Sequence, residues 1–293
     1  MVIVTLIAAD ALRDELVEEA VGRLRGAGFA VHAPAWIDRG SAADLILTGE
    51  VAAARRALAD WNAPVDVVVQ AGDAARRRKL IVADMDSTMI TVECIDELAD
   101  YAGIKPQIAA ITERAMAGEL DFRAALAERV MLLKGMDASV IDRCLAERVA
   151  LMPGARTLVR TMKEHGARAV LVSGGFTRFA EPVGTEIGFD HVVANALEIK
   201  GGKLTGRVIA PIVDSATKVA TLHRECAALG IDVADTLAVG DGANDIPMLE
   251  AAGLGIAYHA HAAARAAAGA SVVHGDLTTL LWAQGVPKRE WRG

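Results

Sequence analysis

Two aspartates separated by a single methionine close the apolar run in "KLIVADMDSTMI": Asp84 and Asp86. Like charges this close repel each other, and taking a carboxylate out of water is costly. A chain that puts both at the mouth of a strand must compensate them elsewhere. Three further polar groups fall beside apolar runs of the same kind. Ser173, Gly174 and Gly175 follow "ARAVLV", and Asp241, Asn244 and Asp245 sit in "GDGANDIPML" after "DTLAV". Lys218 lies early in the helical segment "SATKVATLHRECAALG", behind an N-cap at Asp214 or Ser215. Acids that converge require a cation. Oxygen donors with few histidines suit Mg²⁺ better than zinc, and Mn²⁺ stays open. A lysine, a hydroxyl and glycine amides beside such an ion suit an oxyanion, most simply a phosphate.

These groups need a scaffold that gathers strand ends. From residue 79 the apolar runs "KLIVAD", "ARAVLVSG", "DTLAVGD", "LGIAY" and "ASVVHG" alternate with helical segments. Runs that are apolar throughout fit strands covered on both faces of a parallel sheet. In such Rossmann-like α/β sheets ligands bind at the carboxyl ends of the strands. "ANALEIKGGKLTGRVIA" departs from the alternation and reads as a hairpin around Gly201 and Gly202. Residues 93–150, directly after the paired acids, are helical in pattern and read as a cap over the site. Residues 1–74 show a different order, βαββαβ, which fits a small ferredoxin-like sandwich. Its strands are read at "VIVTLIAA", "FAVHAPAWI", "ADLILTG" and "VDVVVQ", with "AGDAARRRK" as linker. The division is therefore 1–74 and 79–293.

Composition narrows the function classes. The chain has 293 residues, a net charge of −7 and 53% apolar residues. Its one dense basic run, "ARRRK" at 75–79, reads as a solvated linker, so nucleic acid is not an expected partner. Cys94, Cys144 and Cys226 are few and far apart, which fits a reducing cytoplasm and no disulfide scaffold. Cys94 reads as a small buried hydrophobe rather than a nucleophile. No apolar run reaches the roughly 18 residues a membrane helix needs. "MVIVTLIAAD" lacks a basic flank and reads as a strand, not a leader.

"DMDST", "LVSGG", Lys218 and "GDGAND", in this order and spacing, resemble the four motifs of the haloacid dehalogenase superfamily of phosphatases. Within it, "DMDSTMITVECIDELA", "GELDFRAALAERVMLLKG" and "VGDGANDIPML" resemble the phosphoserine phosphatase family over roughly residues 79–290. The resemblance implies an Asp84 nucleophile that becomes an aspartyl-phosphate and an Asp86 general acid and base. It implies Mg²⁺ held by Asp84, the backbone oxygen of Asp86 and Asp241, with Asp245 orienting Lys218. Ser173, Gly174, Gly175, Lys218 and Asn244 would hold the phosphoryl group. On the cap, Glu93 would take an ammonium, Arg129 a carboxylate, and Met116 and Phe122 would exclude water. The implied reaction is hydrolysis of O-phospho-L-serine, the last step of serine biosynthesis.

Other readings compete. The same aspartyl-phosphate could pass to an alcohol such as homoserine, giving a phosphotransferase or a phosphohydrolase of another amino-acid phosphate. Residues 1–74 resemble the ACT domain in element order alone, which implies amino-acid sensing or the assembly of a homodimer. Arg129 and Glu93 would, alone, be a surface arginine and a first-turn acid. His259 and His261 suggest a metal pair, but their spacing in an alanine-rich stretch reads as incidental. Trp282 and Trp291 read as packing followed by a frayed tail.

Overall fold

The protein, described by a computed structural model over residues 1–72, 76–116 and 119–293 (without the Met116 side chain), contains two sheets. The boundary placed at residue 74 lies outside the described residues. The first sheet grows from β1 (Val2–Ile7), α1 (Asp14–Gly26), β2 (Ala35–Asp38), β3 (Ala42–Leu47), α2 (Val51–Leu58) and β4 (Asp66–Ala71). Its antiparallel strands lie in the order β2-β3-β1-β4. Helix α1 forms because Val17, Ala20, Val21 and Leu24 recur at helical spacing, with Asp14 and Glu15 in its first turn and Arg23 and Arg25 in its last. Strand alternation sends Val2, Val4, Leu6, Leu45 and Leu47 to the α1–α2 face. Ile7, Ala42 and Val68 go to the opposite face and join the core of the rest of the chain. The strand expected over "FAVHAPAWI" is shorter: Val31 makes an isolated bridge to Leu47 and the strand proper begins at Ala35. Pro34 has no N–H to give the ladder.

The second sheet carries the remaining elements: β5 (Leu80–Ala83), α3 (Cys94–Tyr101), α4 (Lys105–Met116), α5 (Phe122–Leu132), α6 (Ser139–Arg148), α7 (Ala155–Glu164), β6 (Arg168–Phe176), α8 (Thr177–Ile187), β7 (His191–Lys200), β8 (Lys203–Ile209), α9 (Ser215–Leu229), β9 (Thr236–Gly240), α10 (Ile246–Ala251), β10 (Leu254–Tyr258), α11 (Ala262–Ala267), β11 (Ala270–Val272) and α12 (Thr279–Ala283). The order is β11-β10-β9-β5-β6-β7-β8. All pairs are parallel except β7 with β8, the hairpin around Gly201 and Gly202. Strand β5 is apolar throughout because both its faces are covered: Ile81 and Ala83 pack into one cluster, Leu80 and Val82 into the other. From β5 the chain first builds outward through β6 and β7, then returns to place β9 on the other side of β5. This reversal opens a crevice at the carboxyl ends of β5 and β9. Helices α3–α6 form the cap between β5 and β6. Among the described residues no helix is long and apolar enough to cross a membrane.

The basic run is solvated only in part: Arg77 and Lys79 are exposed, Arg76 and Arg78 are not. Arg78 is buried, and the Arg76 guanidinium donates to both oxygens of Asp44, at 2.5 and 2.7 Å. Both arginines lie between the two sheets, where partners distant in sequence offset their charge. Nor is the tail frayed: Trp282 donates to Asp38 Oδ2 at 2.7 Å, Trp291 packs against it at 4.9 Å between centroids, and the Arg292 N–H donates to Thr161 Oγ1.

Candidate active site

The acids are built into strand ends. Asp84 continues β5, its N–H donating to Val239 O at 3.0 Å. The chain then turns tightly. The amides of Thr88, Met89 and Ile90 all donate to Met85 O, and Ser87 takes a left-handed φ of 54°. Met85 is wholly buried and anchors the turn between the two carboxylates. Ser87 Oγ donates to Glu93 Oε1 at 2.7 Å, which ties the paired-acid loop to the first cap helix.

Lys218 is buried at 1% exposure, with Nζ 2.7 Å from Asp84 Oδ1 and 2.5 Å from Asp245 Oδ1. Helix α9 carries it there because Asp214 caps the helix, accepting from the Thr217 N–H at 3.0 Å. The other oxygen of Asp245 accepts from the Gly242 N–H at 3.1 Å, so both its oxygens are engaged. Asp241 Oδ1 accepts from Thr88 Oγ1 at 3.2 Å. Ser173 Oγ accepts from the Gly175 N–H at 2.8 Å. A Cβ at Gly175 would stand 3.0 Å from Met85 Cε and from Ser173 Oγ, and 3.3 Å from Asp86 Oδ2, so a side chain would crowd the acid pair.

Positive charge is short in this cluster. Oxygens of Asp84, Asp241 and Asp245 lie within 4.8 Å of one another, and Lys218 pairs with Asp84 and Asp245 but not with Asp241. Burial, then the Asp245 carboxylate, pushes the Asp84 carboxyl well above its usual range, with Lys218 opposing. Burial, then Asp245 and Glu93, raises Asp241 to about 6. Burial and Glu93 raise Asp86 to about 7. Burial works to lower Lys218, but the Asp84 and Asp245 carboxylates outweigh it, and the group stays an ammonium. Asp86 Oδ1 is buried without a hydrogen-bond partner. Asp84 Oδ1 touches Lys218 at an angle outside hydrogen-bond geometry. Exposed to no water and under-compensated, these hard oxygen donors fit a divalent cation.

The acids open into a cavity of about 480 Å³. Glu93, Phe122 and Arg129 reach it from the cap; Ser173, Gly174, Gly175 and Asn244 line it from the sheet. Lys218 stands behind Asp84 rather than on the wall. Arg129 is not a surface arginine: burial lowers its pKa while Asp96 and Glu93 pull it back up, and its Nε donates to Ala125 O at 3.3 Å. The Phe122 ring lies 3.4 Å from where a Gly174 Cβ would be. Met116 closes α4, and its side chain lies outside the described residues. Cys94 is buried and burial pushes its thiol up, so it is no nucleophile; its backbone N–H donates to Asp86 Oδ2 at 3.3 Å.

Sequence reasoning missed three contributors. Asn195, wholly buried at β7, donates to Gly174 O at 2.8 Å and accepts from the Val213 N–H at 2.8 Å, fixing the glycine loop from below. Its one signal was an amide inside the apolar run "VVANAL". Asp96 lines the cavity one turn after Glu93, and His261 lines it beside Asp241.

A model of the haloacid dehalogenase-like hydrolase family matches residues 81–250. The chain is similar to phosphoserine phosphatase SerB2 of Mycobacterium tuberculosis, 51% identical over 227 residues, 77% of this chain and 55% of that protein. It is 46% identical over 208 residues to the phosphoserine phosphatase of Albidiferax ferrireducens, 69% of this chain and 88% of that one. The chain thus spans little more than half of the first relative and most of the second. Among solved structures, a HAD family hydrolase from Salmonella enterica superposes with a TM-score of 0.84 at 29% identity, covering 96% of this chain and 98% of that one. A probable phosphoserine phosphatase from Vibrio cholerae gives 0.78 at 33% identity, covering 97% and 87%.

Proposed function

The chain belongs to the haloacid dehalogenase-like hydrolase family, and from that membership we propose that it is a phosphoserine phosphatase, hydrolysing O-phospho-L-serine to serine and phosphate. One observation carries the reading. A single cavity joins Asp84 and Asp86 to Glu93 and Arg129, an acid and a base contributed by the cap. A free amino acid presents one ammonium and one carboxylate, and these two side chains answer them.

In the proposed first step a carboxylate oxygen of Asp84 attacks phosphorus, and the bond from phosphorus to the serine oxygen breaks. Asp86 gives its proton to that departing oxygen. A carboxyl raised to about 7 by burial and Glu93 suits this task. Phe122 over Gly174 keeps bulk water from the ester until the cap opens. In the second step Asp86 takes a proton from water, the water oxygen attacks the aspartyl-phosphate, and the Asp84 carboxylate is restored. Ser173 and Asn244 hold the phosphoryl oxygens throughout, and Lys218, behind Asp84, offsets the negative charge that the attacking carboxylate and the phosphoryl group bring together. Asp84, Asp241 and the backbone oxygen of Asp86 would hold Mg²⁺, which supplies positive charge between two anions that would otherwise repel. Asp245 keeps Lys218 in place.

The test is a substrate panel of phosphoserine, phosphothreonine, phosphoethanolamine and a sugar phosphate, with magnesium or with chelator, followed by mass spectrometry of the trapped enzyme. Preferred turnover of phosphoserine and a phosphate on Asp84 are expected. A different preferred substrate, an adduct on another residue, or full activity in chelator would overturn the proposal.

A further inference from the structure

His259 and His261 share a short stretch of chain, yet the structure gives them separate surroundings. His259 has a left-handed φ of 44°, its Nε2 lies 2.9 Å from Gly275 O, and its ring meets Tyr258 edge-on at 4.5 Å between centroids. It belongs to the packing near β11. His261 lines the cavity beside Asp241 and Asn244. Its backbone N–H donates to Asp241 O at 3.0 Å, which pins it to the strand end that carries the acids. The residue is exposed, and among the described residues its ring makes no hydrogen bond within the chain.

The charges around it give that ring a task. Carboxylates of Asp84, Asp86, Glu93, Asp96 and Asp241 line the cavity, and among the described residues only Arg129 and His261 are basic side chains on its wall. Arg129 stands on the cap, and Lys218 is buried behind Asp84. A phosphate ester approaching an opening rimmed by carboxylates is repelled until it meets a donor. On the sheet side of the opening His261 is the basic group in position to supply one. It is not part of the group of acid oxygens that gather within 4.8 Å, so a cation held there does not occupy its ring.

We propose that His261 is a binding residue for the phosphate end of the substrate. One ring N–H hydrogen-bonds a non-bridging phosphoryl oxygen of the entering ester, and the same contact holds inorganic phosphate as it leaves. An imidazole carries at least one N–H in either protonation state, so the contact needs no particular charge on the ring. Ser173 and Asn244 grip the phosphoryl group deeper in the cavity; His261 meets it at the mouth. The assignment rests on the phosphatase reading of the site.

The test compares wild type, His261→Ala and His261→Gln. Initial rates with phosphoserine and product inhibition by inorganic phosphate give kcat, KM and the phosphate Ki. Isothermal titration of phosphate into the magnesium-loaded protein gives affinity without turnover. For His261→Ala, KM, Ki and the calorimetric Kd should rise together, by about threefold to tenfold, the net effect of one ordinary hydrogen bond from a solvent-exposed ring. kcat should fall much less, and the magnesium activation constant should stay put. His261→Gln keeps an N–H donor and should recover most of the loss. Phosphate affinity within twofold of wild type in His261→Ala, or a shift in magnesium activation alone, would overturn the assignment. A wild type that binds phosphate but does not hydrolyse phosphoserine would overturn the enzyme reading instead, and weaker phosphate binding by His261→Ala would still support the contact.

Discussion

Two clusters of buried charge lie in this protein, and they are satisfied to opposite degrees. Between the sheets, Asp44 accepts two hydrogen bonds from Arg76 and one from Thr5, and Arg76 also donates to Thr5 and to Ala283 O. Gln70 links Ala283 O to Arg78, and Arg78 reaches Ala234 O. Nearby, Asp66 accepts the N–H groups of Val273, His274 and Gly275. Almost every donor finds an acceptor inside the chain. At the carboxyl ends of β5 and β9, by contrast, three acids gather around one lysine that pairs with two of them, and Asp84 Oδ1 and Asp86 Oδ1 lack hydrogen bonds. The first cluster leaves the Arg78 Nε–H without an acceptor but pairs its charges and its other polar groups within the chain, and it ties the two sheets together. The second is incomplete without a cation and an anion. Burial alone would not tell structure from function here; the state of hydrogen-bond satisfaction does.

Asp84→Asn should break the comparison most sharply. It removes the proposed nucleophile with little change of shape, so turnover should fall by at least about 10⁴-fold. It also removes one charge from a cluster with too many, so the metal-free protein should become more stable, by about 1 kcal/mol. Single-turnover kinetics and urea unfolding measure the two effects, and a variant that loses both activity and stability would contradict the surplus of negative charge. Lys218→Ala tests the same surplus with the opposite sign. Losing this buried cation should cost about 10²–10³-fold in kcat, as removal of one transition-state donor does. It should also lower metal-free stability, and added Mg²⁺ should recover part of that loss.

The two clusters also differed in how far the sequence disclosed them. Asp84, Ser173, Lys218, Asp241 and Asp245 were legible because each sits where an apolar run ends, and a parallel sheet brings its strand ends together. Glu93 and Arg129 followed from the resemblance, and both reach the cavity. The cluster between the sheets was not legible. Arg78 and Gln284 are 206 residues apart, Gln70 and Ala283 213 apart, and no local spacing records either pairing. Thus a dense basic run that passes for solvated linker holds a buried arginine, because its partners lie on β3, on β4 and beside α12. Asn195 escaped for a related reason: its partners, Gly174 O and the Val213 N–H, are backbone atoms, and backbone leaves no residue type to read. The shortened strand before Asp38 was readable, since Pro34 forbids the ladder bond a longer strand would need.

Asp44→Asn probes the paired cluster. It leaves the Arg76 guanidinium facing a neutral amide between the sheets, so stability should drop by about 3 kcal/mol, near the lower end for breaking a buried pair, because Arg76 keeps some exposure. Activity per folded molecule should stay within a few-fold, because Asp44 touches nothing in the cavity. Urea unfolding with kcat measured on the folded fraction checks both. A large loss of kcat at unchanged stability would mean that the cluster between the sheets serves the reaction rather than the architecture.

The smallest expected effect lies at the cap end of the cavity, where the incomplete cluster meets its substrate. Arg129→Ala removes a half-buried guanidinium from between Asp96 and Glu93. A charged hydrogen bond is worth about 1.5–3 kcal/mol, so KM for phosphoserine should rise about tenfold to a hundredfold. An aryl phosphate has no amino-acid carboxylate and should lose far less. The same deletion leaves two acids at the ammonium end without a cation, so phosphoethanolamine, which keeps the ammonium but lacks the carboxylate, should gain on phosphoserine. Equal losses for phosphoserine and aryl phosphate would place Arg129 among the groups that shape the cap rather than those that read the substrate. A shift confined to phosphoserine would extend the rule of the acid cluster to the cap, where a buried charge also waits for its partner to arrive with the ligand.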